Sequence, residues 1–329
     1  MKTQHSALGT RHSSIILGTG SYLPKKILTN ADLEKLVATN DKWIVERTGI
    51  KKRHIAAAGE STADMAAKAA LKAIKSAGIK KSSIDLIILG TATPDNTFPS
   101  SATKIQAVLG LSRIPAFDVN AACAGFIYAL LTADSFLKSG QYENALVIGS
   151  DVLSRIVDWE DRGTCVLFGD GAGAVVLQSS KQKNRGLLGG NIHSDGSTRD
   201  LLYVDGGVGT TATSGKIRMQ GKEVFRHAVH KMSESVESTL QSAHLKVKDI
   251  DWLIPHQANV RIMEATAKKL GIPTSKVITT VENHANTSAA SIPLALDTAV
   301  REGRIKKGDL VAMTAIGAGL AWGSVLVRW

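Results

Sequence analysis

Cysteine is nearly absent from this chain. Only Cys123 and Cys165 occur among 329 residues, which excludes a disulfide framework and a cysteine-rich zinc site and fits a reduced, cytoplasmic setting. No stretch approaches the ~20 consecutive apolar residues that a bilayer span needs, so no membrane insertion is expected. Residues 1–12 lack the apolar centre of a secretory signal and read as a flexible N-terminal tail. Dense basic runs are also missing, although the net charge is +11. Lys and Arg come in ones and twos, which ranks an acidic protein or a nucleotide-bearing small molecule above nucleic acid as the anionic partner.

Several catalytic signatures are missing too. Gly169-Asp170-Gly171-Ala172-Gly173-Ala174 does not have the spacing of a dinucleotide fingerprint. Lys216 after Gly215 is followed by Ile217, so no Walker A loop is formed. No G-x-S-x-G elbow and no H-E-x-x-H helix occurs. Dinucleotide-binding, nucleoside triphosphatase, serine hydrolase and zincin readings fall with them.

What the chain does contain is ordinary globular material, 43% apolar and 21% charged, long enough for two domains of about 150 residues. It also repeats itself. Residues 76–88 align without a gap on 242–254, six of thirteen positions being identical. Each copy follows an amphipathic helical stretch (61–77 and 224–243) and enters a β-branched strand. Downstream, a buried strand at 114–120 and a helix at 124–139 are matched by a strand at 276–281 and a helix at 288–301. Strands at 144–150 and 309–314 close the copies. Alternating strands and helices in two duplicated halves predict an α/β sandwich with parallel sheet pairing.

The 166-residue offset puts Cys123 opposite Ala289, beside Asn286 and Ser288. Equivalent strand-to-helix turns therefore carry Cys123 and Asn286, where α/β folds place their ligands. His256 ends a strand in Pro255-His256-Gln257-Ala258-Asn259 and is able to join them. Taken singly, each residue has a plain structural reading: a buried inert cysteine, a satisfied core histidine, a loop cap. The shared turn position favours chemistry. A helix N-terminus lowers a thiol's pKa, and a thiolate attacks acyl groups. His256 and Asn286 would act either as base and orienter or as two hydrogen-bond donors to one substrate oxygen. Cys165, read as part of an apolar strand over 164–168, is expected in the core.

Three segments, Asp118-Val119-Asn120-Ala121-Ala122-Cys123-Ala124-Gly125-Phe126, Pro255-His256-Gln257-Ala258-Asn259 and Asn286-Thr287-Ser288-Ala289-Ala290-Ser291, resemble the active-site motifs of the β-ketoacyl-[acyl carrier protein] synthase III family. Gly18-Thr19-Gly20-Ser21-Tyr22-Leu23-Pro24, Trp43-Ile44-Val45-Glu46-Arg47-Thr48-Gly49-Ile50 and Trp322-Gly323-Ser324 extend the resemblance over residues 14–329. It implies the thiolase fold, duplicated halves in a five-layered αβαβα sandwich, assembled as a homodimer. The implied domains are the tail at 1–12, an N-terminal half at 13–182 carrying the nucleophile, and a C-terminal half at 183–329 carrying His256 and Asn286.

The resemblance also implies the reaction that initiates type II fatty acid synthesis. Cys123 takes an acetyl group from acetyl-CoA, malonyl-[acyl carrier protein] loses CO2, and the carbanion attacks the acyl-cysteine. Catalysis would rest on Cys123, His256 and Asn286, with the backbone N–H groups of Cys123 and Ala318 as oxyanion hole. Trp43, Arg47, Arg162 and Asn259 would bind CoA. The segment Gln257, Ala258, Asn259, Val260 and Arg261 would meet the carrier protein, with Arg226, Lys268 and Lys269 extending a basic face. Phe98 would reach the partner subunit's acyl pocket. No metal and no tightly bound cofactor is implied; the acyl-CoA is a substrate. Three positions depart from the family pattern: Ala318 and Ala285 stand where glycine is frequent, and Ile316 where phenylalanine is common. Alanine disfavours the positive φ that glycine accepts. Two other roles share these motifs: a condensing enzyme of a secondary pathway using a different acyl-CoA, and a non-catalytic carrier-protein-binding subunit.

Overall fold

Two twisted sheets share one helical layer between them. The structure is a computed structural model that describes residues 13–182 and 184–329; the expected tail at 1–12 lies outside the described residues. The first half runs β1 (Ser13–Tyr22), α1 (Thr62–Ala77), β2 (Leu86–Gly90), β3 (Ala116–Val119), α2 (Gly125–Lys138), β4 (Asn144–Asp151) and β5 (Gly171–Ser180). The second runs β6 (Gly186–Ser194), α3 (Gly221–Ser242), β7 (Trp252–Pro255), α4 (Val260–Leu270), α5 (Ser291–Arg301), β8 (Leu310–Gly317) and β9 (Ala321–Arg328).

Strand order is β1-β5-β4-β2-β3 in one sheet and β7-β8-β9-β6 in the other. The repeat is visible residue by residue. Ile87 pairs in parallel with Leu146 and Ala116; its equivalent Leu253 pairs in parallel with Ala312 and bridges Val277. β5 runs antiparallel to its neighbours β1 and β4, and β9 antiparallel to β8 and β6.

Sequence period decides the layering. On β2, Leu86 and Ile88 enter the core shared with α2 and α5, while Ile87 and Leu89 pack under α1. On β8, Val311 and Met313 face inward and Leu310 and Ala312 face the outer helices α3 and α4. A strand buried on both faces needs apolar residues at odd and even positions, which these strands have. The layers are α1, sheet, α2 with α5, sheet, α3 with α4: αβαβα, as expected. Phe126, Ile127, Leu130, Ile292 and Leu296 fill the middle layer, each contributing roughly 1.5–3 kcal/mol by burial.

Local signals set the helices. Ser61 and Asp64 form a capping box at the start of α1, and Gly78 ends it at φ 67°, as such residues do. The alanine-rich face of α1 lies so close on β1 that a Cβ at Gly20 would sit 2.3 Å from Ala69 O.

Three expected elements differ. The segment 164–168 is no strand: Asp161 caps a short helix, Arg162–Cys165, through the Gly163 N–H. Cys165 is buried there as anticipated. The strand expected at 276–281 survives only as the Leu253–Val277 bridge, between a 3-10 turn at Thr274–Lys276 and a short helix at Val281–His284. The strand expected to be buried at 114–120 is half-buried, since β3 is a sheet edge. Among the described residues no helix is long and apolar enough to cross a membrane.

Candidate active site

The repeat builds two matching turns. Asn120 Oδ1 accepts the Ala122 N–H (3.2 Å), and Asn286 Oδ1 accepts the Ser288 N–H (2.9 Å). Ala122 and Ser288, equivalent residues, both take a left-handed φ, 45° and 52°. Each turn passes through a 3-10 turn, Ala122–Ala124 or Ser288–Ala290, into a middle-layer helix, α2 or α5. Cys123 thus stands at the entry to α2.

Cys123, His256 and Asn286, far apart in sequence, line one cavity of about 650 Å³. All three are buried. Asn286 is clamped by its backbone: its N–H donates to Leu167 O (2.9 Å) and its carbonyl accepts from Gly169 N–H (3.0 Å). With Oδ1 occupied by Ser288, the Asn286 amide NH2 is the group left for the cavity. The preceding Ala285 sits at φ 59°, ψ −164°, a region that is nearly glycine-only and costs about 1–3 kcal/mol. Here the alanine does carry the strain that its replacement of glycine predicts.

His256 Nδ1 lies 2.7 Å from Ser291 Oγ, which leaves Nε2 for the cavity. Burial pushes the imidazole down to about 4, so it is neutral at physiological pH. Sequence reasoning missed Ser291; it lies 35 positions away, and only its place on the first turn of α5 brings it there.

The thiol departs from expectation. Burial pushes Cys123 up to about 12; a Ser288 hydrogen bond opposes this and the Asp151 charge reinforces it. This direction is opposite to the lowering expected of a helix N-terminus.

The β8–β9 turn closes over the nucleophile. A Cβ on Gly317 would lie 2.6 Å from Cys123 N, so the chain passes directly against that amide. Ala318 follows, and it is not among the residues with positive φ; alanine is compatible there. Ile316 lines the cavity.

At the other end of the cavity stand exposed cations. Among the described residues, Arg47, Lys222 and Arg261 line it and no carboxylate does. Trp43, on the helix Asp41–Thr48, has the guanidinium carbons of Arg47 and Arg162 each 4.8 Å from its ring centroid. Lys222, unmarked by any motif, is an addition from the structure. Asn259 lines the cavity while its Oδ1 caps α4 at the Ile262 N–H (3.0 Å).

Gln257 must be withdrawn from the carrier-protein surface. It is 1% exposed, with Nε2 donating to Pro255 O (2.7 Å) and Oε1 accepting from Thr280 N–H (2.8 Å). Its amide is a buried tie. Ala258 and Val260 are half-buried, whereas Arg261, Arg226, Lys268 and Lys269 are exposed. Phe98 lies outside the cavity, 83% exposed.

Comparison with known proteins shows the family. Residues 117–196 match the family model for 3-oxoacyl-[acyl-carrier-protein] synthase III, and residues 240–329 match the model for its C-terminal part. The β-ketoacyl-[acyl-carrier-protein] synthase III of Paramagnetospirillum magneticum is 59% identical over 319 residues, 96% of this chain and 98% of that one. The crystal structure of 3-oxoacyl-[acyl-carrier-protein] synthase III from Aquifex aeolicus superposes with a TM-score of 0.92 at 51% identity, covering 96% of this chain and all of that one. The priming β-ketosynthase of the R1128 polyketide pathway superposes with a TM-score of 0.92 at 33% identity, over 98% of each chain. The fold is the thiolase fold, and the chain belongs to the β-ketoacyl-[acyl-carrier-protein] synthase III family of acyltransferases.

Proposed function

We propose that this enzyme joins an acetyl group from acetyl-CoA to malonyl-[acyl carrier protein], with loss of CO2, to start fatty acid synthesis. One observation carries the reading. A buried cysteine, a neutral histidine and an asparagine amide line one cavity with three exposed cations and an indole. That shape suits an anionic carrier with a long thin arm ending in a thioester.

Cys123 Sγ attacks the acetyl carbonyl, and CoA leaves as the thiol. The Cys123 and Ala318 N–H groups would receive the oxygen's developing charge, a form of stabilisation worth about 10²–10³ in rate per donor. Malonyl-[acyl carrier protein] then occupies the cavity. Gln257 N–H approaches Ser291 Oγ at 3.4 Å, which frees the Ser291 hydroxyl proton for His256 Nδ1 and puts the imidazole proton on Nε2. Nε2–H and the Asn286 amide then donate to the malonyl thioester oxygen, stabilising the enolate as CO2 departs. The carbanion attacks the acetyl-cysteine and acetoacetyl-[acyl carrier protein] is released. Histidine and asparagine act here as donors, not as base and orienter.

Arg47 would hold CoA phosphates, with Lys222 beside it. Trp43 and Arg162 would take the adenine, and Asn259 the pantetheine arm. The gap between Trp43 and either guanidinium is too small for a purine, so binding displaces one arginine. Arg261, Arg226, Lys268 and Lys269 form the face offered to the acidic carrier protein, where complementary charge steers encounter. Phe98 would be covered by a second copy in a cytoplasmic homodimer, each copy built from halves 13–182 and 183–329.

Intact mass after incubation with acetyl-CoA, alone and against longer acyl-CoAs, tests the reading. An acetyl adduct on the wild type and none on Cys123→Ala is expected. An adduct from another acyl-CoA alone would assign a different pathway, and unchanged acylation of Cys123→Ala would remove the nucleophile.

A further inference from the structure

Asn286 is supported differently from its equivalent, Asn120. Asn120 directly follows β3, whose last residue, Val119, pairs with Gly90. A short helix, Val281–His284, and the strained Ala285 lead into Asn286. The Asn286 backbone bridges in parallel to Phe168, giving its N–H to Leu167 O and taking the Gly169 N–H. Whatever fastens residues 166–169 therefore fixes where the Asn286 amide stands. Val166, Leu167 and Phe168 also line the cavity.

The fastening comes from behind the cavity lining. Arg53, on the short strand Lys52–Ile55, is 0% exposed. Its Nη2 donates to Val166 O (2.9 Å), and its Nη1 to Asn30 Oδ1 (2.9 Å) and Leu28 O (3.3 Å). All three acceptors are neutral, and Nε is buried with no partner among the described residues. A cation desolvated in this way is costlier than an apolar side chain of the same volume, so filling space does not explain an arginine. What its planar fork supplies is directed donors to separate segments of chain. Beside it, His54 O accepts the Asp170 N–H (2.9 Å), and Asp170 Oδ2 accepts the Ala56 N–H (2.7 Å). A Cβ on Gly169 would lie 3.0 Å from Arg53 Cβ and 3.1 Å from His284 O, so Gly169 packs against both the arginine and the helix preceding Asn286. Asn30 Nδ2 donates onward to Asp41 Oδ1 and Ile50 O, 2.8 Å each, at the two ends of the helix that carries Trp43 and Arg47.

We propose that Arg53 is a positioning residue for Asn286, acting through the Val166–Gly169 segment to keep the amide aimed into the cavity. It lies outside the cavity lining and acts on the reaction only through that segment. The catalytic consequence rests on the decarboxylation reading above. Asn286 donates to the enolate oxygen, so a loosened clamp slows CO2 loss and spares the attack of Cys123 on acetyl-CoA.

Arg53→Met keeps the reach of the side chain and removes the fork. In the full chain without substrate, hydrogen–deuterium exchange should quicken about ten-fold in peptides covering 165–170 and 284–288, while β2 and β8 keep wild-type rates. With malonyl-[acyl carrier protein], kcat for CO2 release should fall about ten- to a hundred-fold at little-changed KM. Acetyl transfer at saturating acetyl-CoA should stay within about two-fold of wild type. In an Asn286→Ala background, Arg53→Met should cost nothing further, since both changes remove the same donor. Arg53→Lys keeps the charge without the fork and should show the same split at about three-fold; it decides the matter if Arg53→Met misfolds. Unchanged or uniformly quickened exchange, equal losses in both half-reactions, or full additivity with Asn286→Ala would overturn the proposal. Local quickening in a protein whose wild type releases no CO2 from malonyl-[acyl carrier protein] would keep the clamp and reject the substrate.

Discussion

Replacing Gly317 by alanine is the sharpest test of the oxyanion hole. The added Cβ would lie 2.6 Å from Cys123 N, 2.9 Å from Ala121 O and 3.0 Å from Ala124 N. All three are backbone atoms, so no rotamer change makes room. Either the β8–β9 turn lifts or the entry to α2 moves. Overpacking of this kind costs typically 1–3 kcal/mol, seen as a fall of a few degrees in Tm. The larger effect is on rate. Both proposed oxyanion donors, Cys123 N–H and Ala318 N–H, flank the intruding carbon, and losing one such donor costs about 10²–10³-fold. Acylation by acetyl-CoA, followed by intact mass over time, should slow by that factor while the Cys123 thiol still alkylates with iodoacetamide. A folded Gly317→Ala protein that acylates within about two-fold of wild type would refute the placement of the hole, because the geometry permits no small adjustment.

Two further outcomes follow from the cavity and the core. Trp43→Ala removes the indole held between two guanidinium groups, and should raise KM for acetyl-CoA by about ten-fold with kcat preserved; a fall in kcat at unchanged KM would move Trp43 out of the binding role. Stability should fall as the solution is acidified, because His256 and His284 are both pushed down to about 4 by burial, with His54 and Lys52 adding to the effect at His284. Their unfolded pKa is near 6.5, so between about pH 6.5 and 4 the unfolded chain binds more protons. Each contributes about 3 kcal/mol that is present above pH 6.5 and lost on the way down. Urea midpoints at pH 8, 6 and 5 measure this, and a flat series would show that one or both imidazoles are solvated.

Much of this was legible because duplication writes the same geometry twice. The 166-residue offset that relates 76–88 to 242–254 also relates Asn120 to Asn286, Ala122 to Ser288 and Leu146 to Ala312, and the structure makes each pair equivalent in hydrogen bonding, backbone or sheet register. Local period and capping residues carried the helices, since Ser61, Asp64 and Gly78 act within one turn of themselves. What the sequence hid is what depends on depth. Nothing near Cys123 along the chain shows that burial will push its thiol up to about 12; small neighbours and a helix N-terminus argue the reverse. Gln257 reads as a polar surface residue until Pro255, Ile278 and Thr280 are seen to enclose its amide. The apolar run 164–168 reads as a strand, but Asp161 turns it into a helix.

The departures from symmetry bear on chemistry as directly as the symmetry does. Among the side chains at which the equivalent turns differ, Cys123 against Ala289 and Ala122 against Ser288 put the sulfur on one copy and a hydroxyl on the other. The second turn is also tied to a carboxylate at the end of β4, its Ala289 N–H donating to Asp151 Oδ2. A single ancestral turn could offer only one of these groups at a given position. The two turns supply a nucleophile from the first copy, and an amide donor from the second. Rigidity is what oriented donors need if they are to meet charge that exists only in the transition state. The strain at Ala285 belongs to the same logic: the chain accepts about 1–3 kcal/mol of backbone cost immediately before Asn286, at the point where the second turn must aim its amide at the first turn's sulfur.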